Sequence, residues 1–191
     1  MTGPDPTQYG WWLASRASGV IALALITASV GVGLVTAGKV MRRPGIGRRL
    51  KSFHEHAALA GLVAIAVHGI TLLGDRWLHP GVGGILVPFS MGYRPLFTGL
   101  GIVGGYLAAL LGLTFYLRRR IGPRLWRKAH RATVVVYLLA VVHVLGAGTD
   151  AGSAWLRGFM LVTGVPIAAL FVWRMLPRRR PRRAVPQEAR P

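Results

Sequence analysis

Residues 53–73 read FHEHAALAGLVAIAVHGITLL, and residues 124–145 read RLWRKAHRATVVVYLLAVVHVL. Each stretch is long and apolar enough for a membrane-spanning helix, and each opens just after or within a cluster of Arg and Lys. Both therefore start at the same face of a bilayer. Each also carries two histidines: His54 and His68 are 14 residues apart, and His130 and His143 are 13 apart. Two parallel helices thus present imidazoles at two matching depths.

Composition around these stretches settles the solvent. Hydrophobic residues make up 52% of 191, mean hydropathy is +0.46, and the formal net charge is +19. A soluble protein so basic would suggest nucleic acid as partner. Here the charge falls between long uncharged runs, which is the pattern of a polytopic membrane protein bathed in lipid, and no nucleic-acid partner is expected. Cysteine is absent, so disulfides and thiolate metal sites are excluded. The first ten residues lack a basic segment, so the first apolar run reads as a retained span and not a cleaved leader.

The chain is expected to be all-α, a bundle of five transmembrane helices at about residues 11–37, 53–73, 96–117, 124–145 and 155–176. All but four of the 24 basic residues fall at one face. They lie at 39–51, 118–131 and 174–190, while Arg16, Arg76, Arg94 and Arg157 lie at the other. The positive-inside rule then puts the N-terminus outside and the C-terminus in the cytoplasm of a plasma-membrane protein. The spans form one domain, 11–176. The Pro- and Arg-rich tail, 177–191, reads as a disordered basic cytoplasmic extension: a stop-transfer anchor in preference to a segment that holds the anionic leaflet or an acidic partner. The external loop at 74–95 holds Trp77, Phe89 and Tyr93, aromatics suited to the headgroup level.

Gly99, Gly101 and Gly104 spell a dinucleotide fingerprint, but inside an apolar helix. That motif works only between a strand and a helix, so small-residue packing is the better reading. No FAD or NAD(P) site is expected in this chain.

A histidine inside a membrane needs a partner. One alone is as readily a hydrogen-bonded packing residue as a ligand; four in paired register favour ligation of two stacked haems. The spacing of 14 turns roughly −40°, so His54 and His68 share a face about 21 Å apart along the axis. The spacing of 13 turns roughly −140°, so His130 and His143 need a local distortion to align. Parallel spans pair His54 with His130 at the inner level and His68 with His143 at the outer. Two neutral imidazoles fill both axial positions of each iron and suit it to electron transfer. His56, two residues from His54, is the rival at the inner level; His79 lies in the external loop.

Other residues have two readings each. Arg16 either snorkels to headgroups or binds a propionate of the outer haem. Arg127 and Arg131 stand in the same relation to the inner one. Tyr137 lies between the two ligand levels or simply packs, and Gly61 makes room for a macrocycle or for a helix. Ser52 to Glu55 fits a capping box opening the second span, placing His54 in its first turn.

The paired spacing, the Ser15-Arg16-Ala17-Ser18-Gly19 opening of the first span and the Leu125-Trp126-Arg127-Lys128-Ala129-His130-Arg131 segment resemble the ferric reductase-like transmembrane domain. That superfamily includes NADPH oxidases, ferric-chelate reductases and the haem-binding subunit of methionine-sulfoxide reductase. Over residues 11–176 the resemblance implies b-type haems and electron flow toward an acceptor outside the cell, free or a periplasmic enzyme. Many members have six helices, and the oxidases carry a fused reductase domain. Five spans and no such domain imply a separate donor, either a flavin or nicotinamide reductase or a quinol. The chain would be an oxidoreductase component. Two other classes remain: a proton or ion relay, which needs buried carboxylates, and a haem-free structural or assembly subunit.

Overall fold

The computed structural model describes residues 9–38 and 44–176. Among them there is helix and no strand. In chain order the helices are α1 (Gly10–Gly38), α2 (Ile46–Leu72), the short α3 (Gly81–Leu86), α4 (Pro95–Ile121), α5 (Pro123–His130), α6 (Thr133–Ala147) and α7 (Ala154–Met175). Five stretches are long and apolar enough to cross a membrane: α1, α2, α4, α5 with α6, and α7, of 29, 27, 27, 25 and 22 residues. The chain is an all-α polytopic membrane protein.

Side chains are distributed as lipid solvation demands. Large apolar residues face outward, among them Leu161, Val162, Ile70 and Leu113, each more than half exposed. The interior of α1 instead holds small and hydroxylated residues: Ser15, Ser18, Ala22, Thr27 and Ser29 are buried. Without water, each hydroxyl must find a partner inside the protein. Ser18 donates to the carbonyl of Ala14 at 2.6 Å and Thr27 to that of Leu23 at 2.7 Å, back-bonds along their own helix.

Local chemistry sets the ends. Pro95 and Pro123 open α4 and α5, where a missing N–H costs nothing. Gly122 joins α4 to α5 at φ 83, a left-handed value glycine adopts freely. Arg118, Arg119 and Arg120 occupy the last turn of α4, where cations complement the helix dipole. The ends of α1 and α4, the starts of α2 and α5 and the end of α7 define one face, called the basic face below.

The architecture is two antiparallel pairs, α1 with α2 and α4 with α6, with α7 against α1. Close backbone approaches concentrate within those pairs; α2 and α6 do not pack along their lengths. Gly61 serves the first pair, since a Cβ there would meet Ile26 and Leu25 of α1 at 3.6 Å. Gly104 serves packing as expected, against Leu139, and Gly105 does the same against Ile65. Tyr137 is a core residue: it is buried with Val30 and Ile167, between α1 and α7.

Three expectations change. The second span is helical from Ile46, so Ser52 and Glu55 lie within α2 and form no capping box. Glu55 instead faces Lys51 one turn back at 3.8 Å, and His54 sits in the third turn. The basic residues before His54 are good helix formers, and they extend the helix beyond its apolar part. The fourth span is not one helix but α5 and α6, broken at Arg131 and Ala132. The external loop contains α3 and three non-glycine residues at positive φ: His79, Phe89 and Arg94. Lys39, Arg42, Arg43, the first eight residues and the tail at 177–191 lie outside the described residues.

Candidate functional site

The four histidines meet in the expected pairs. His54 of α2 faces His130 of α5 with ring centroids 5.8 Å apart and planes at 88°. His68 of α2 faces His143 of α6 at 6.3 Å and 74°. The break between α5 and α6 supplies the distortion that the 13-residue spacing requires. There Ala132 N–H donates to Ala129 O at 2.9 Å and Val135 N–H to Ala132 O at 2.9 Å, a tightened i to i−3 pattern.

Three of the rings are fixed from behind. A carbonyl only accepts, so a ring nitrogen bonded to one must carry the proton. His54 Nδ1–H donates to Ser29 O at 2.8 Å, His68 Nδ1–H to Ser15 O at 2.8 Å and His143 Nδ1–H to Phe97 O at 2.9 Å. In the neutral ring this sets the tautomer and leaves Nε2 as the nitrogen whose lone pair can bind a metal. His130 has a different support: its ring stacks on Trp126, centroids 4.9 Å apart and planes at 22°.

α1 carries a register that was not read from the sequence. Ser15 and Gly19 bracket His68, and Ser29 and Gly33 bracket His54. A Cβ on Gly19 would come within 3.1 Å of the His68 ring, and one on Gly33 within 3.2 Å of the His54 ring. The motif Ser-x-x-x-Gly thus recurs on α1 at the spacing of the histidines on α2. Antiparallel packing brings each copy to its own imidazole. That repeat was the available signal. On α4, Gly101 does the same for His143: a Cβ there would overlap the ring.

The remaining candidates fall away from the pairs or at their rim. His56 is exposed and its Nδ1 bonds the Ser52 carbonyl on its own helix at 2.7 Å. His79 is exposed in the external loop. Arg16 is held by Asp150: its Nε donates to Oδ2 at 2.6 Å and a second nitrogen to Oδ1. It lines the same cavity as His68 and His143. Arg131 turns onto the Arg127 carbonyl at 3.4 Å, and both arginines are exposed.

That cavity, of about 690 Å³, is the size of cofactor sites and lies at the face opposite the basic one. Its walls are largely apolar, from all the spans. Asp75 also lines it, 4% exposed, a buried carboxylate just past the end of α2. Oδ1 accepts the N–H groups of Trp77 and Leu78 at 2.8 and 3.0 Å, while Oδ2 has no partner.

No family model, curated protein or solved structure matches the chain. The fit of a haem rests on geometry. A metal held between the Nε2 atoms of two imidazoles, at metal–nitrogen distances of about 2 Å, would set the ring centroids roughly 6 Å apart. The observed 5.8 and 6.3 Å bracket that value. Among the described residues no group of three or more His, Cys, Asp or Glu gathers as a bare ion would need. A porphyrin would need only two protein ligands, and the cavity beside His68 and His143 is of a size to take one.

Proposed function

We propose that this chain is a transmembrane electron conduit of ferric reductase-like type, carrying two b-type haems. His54 and His130 would hold the one nearer the basic face, and His68 and His143 the other. When bound, haem iron supplies one-electron ferric/ferrous exchange. The chain's residues do the rest. The carbonyls of Ser29, Ser15 and Phe97 hold three imidazoles as neutral ligands with fixed orientation. With His54 and His130, or His68 and His143, as its two protein ligands, a bound haem would serve electron exchange and not substrate binding at the iron. The apolar lining excludes water from the far pair, and the 14-residue spacing sets two centres about 21 Å apart along α2.

The observation that carries this reading is the double register: two facing histidine pairs at bis-imidazole separation, with three outward nitrogens already spent on backbone carbonyls. A proton relay is supported less. It needs buried carboxylates between the histidine levels; one buried carboxylate, Asp75, lines the far cavity, but of the acids among the described residues, Glu55, Asp75 and Asp150, none falls between the two levels.

With the basic face in the cytoplasm of the plasma membrane, electrons enter from a separate flavin or nicotinamide reductase, or from quinol. They leave to an acceptor or partner enzyme outside. The test is the absorption spectrum of protein purified after expression with ample haem. A low-spin b-type spectrum with two haems per chain is expected, and His68→Ala or His143→Ala should each remove one. Colourless protein overturns the proposal.

A further inference from the structure

The two histidine pairs differ in ways that bear on how readily each centre accepts an electron. In the far pair both Nδ1–H groups donate to backbone carbonyls, at 2.8 and 2.9 Å. In the basic-face pair only His54 does, at 2.8 Å, while His130 is supported by the face of Trp126. Donation from Nδ1 makes an imidazole a stronger base and favours the oxidised metal. The far pair carries two such bonds and the near pair one.

Charge acts in the same direction. Arg127, Lys128 and Arg131 lie within one turn of His130, and Arg48 and Arg49 precede His54 on α2, where Lys51 faces Glu55. Around the far pair Arg16 is paired with Asp150, and the other arginines of that face, Arg76, Arg94 and Arg157, are exposed, while the buried, half-paired carboxylate of Asp75 lines the cavity with His68 and His143. Positive surroundings favour reduction and a negative one opposes it.

Trp126 itself is placed by contact with rings. Its Nε1–H is buried without a partner, so no hydrogen bond fixes the indole. It lies flat on His130 at 4.9 Å and edge-on to Phe115 at 6.2 Å.

We infer that the two centres are unequal by construction: the basic-face pair is the more easily reduced, and Trp126 is the positioning residue that stands in for the missing carbonyl at His130. A half-reduced protein then keeps its electron at the basic face, and the far centre fills only when a second electron arrives. This rests on the haem reading proposed above, and the experiment separates the two.

Spectroelectrochemical titration of the purified full chain should resolve two midpoints, with the more negative one absent from His143→Ala. Trp126→Ala should admit water beside His130, which stabilises the oxidised form. It should lower only the more positive midpoint, or lose that haem alone. Trp126→Phe, which keeps a flat ring, should stay near the parent. Asp75→Asn should raise only the more negative midpoint. Two haems with a single shared midpoint, His143→Ala removing the more positive one, or Trp126→Ala and Trp126→Phe behaving alike overturn this inference while leaving the conduit intact. Protein without haem overturns the conduit itself.

Discussion

A methyl group at Gly101 would occupy the space of the His143 ring, and one at Gly19 would press within 3.1 Å of His68. These glycines let the imidazoles lie against the neighbouring backbone, close enough for their Nδ1–H groups to reach a carbonyl. Gly101→Ala should therefore push His143 off the Phe97 carbonyl and lose the far haem, with an overpacking cost of about 1–3 kcal/mol. Haem stoichiometry and thermal unfolding in detergent measure the two effects. Ser15→Ala is the contrasting case. It removes a hydroxyl 3.2 Å from His68 Nδ1 but leaves the carbonyl that accepts its proton. Loss of the second support of a ligand typically costs about 10–100-fold in metal affinity, and Ser15→Ala should fall below that range. A full loss of the far haem in Ser15→Ala would show that the hydroxyl, not the backbone, is the anchor.

At the scale of elements, the interruption at Arg131 and Ala132 turns α6 until His143 faces His68. Deleting Ala132 would rotate α6 by about 100° relative to α5 and draw it back by about 1.5 Å. His130 stays with His54, so one haem should remain and the far one should be lost in the pyridine haemochrome assay; retention of both would mean that α6 is positioned by α4 and not by its link to α5. Five spans and both histidine levels were legible in the sequence because hydropathy and residue spacing run along one dimension. The start of α2 was not, since Arg48, Arg49 and Lys51 end the apolar pattern without ending the helix. The role of α1 was missed for a different reason. Ser15, Gly19, Ser29 and Gly33 look like ordinary small-residue packing until α2 is laid antiparallel against them. The burial of Asp75 is a product of tertiary folding, with no signature in its neighbours.

For the molecule as a whole, the separation of charge defines the direction of the proposed electron path. Exposed Arg119 and Arg120 mark one face, and exposed Arg76, Trp77 and Arg157 mark the other. Basic residues near span ends are as a rule retained on the cytoplasmic side, so the proposed path would have the His54–His130 pair next to a cytosolic donor and the His68–His143 pair next to the exterior. Because the chain has no cysteine, every introduced thiol is a unique reporter. Trp77, 75% exposed in the loop after α2, is a suitable outer position, and Arg119 in the last turn of α4 an inner one. In intact cells a membrane-impermeant maleimide should label Trp77→Cys and spare Arg119→Cys, and permeabilisation should expose the second. The opposite pattern would leave both histidine pairs where they are but reverse their sides, so that the centre with two carbonyl-anchored ligands would face the cytoplasm. The donor would then have to reach His68 and His143 through the loop carrying α3, and the proposed outward flow of electrons would have to be given up.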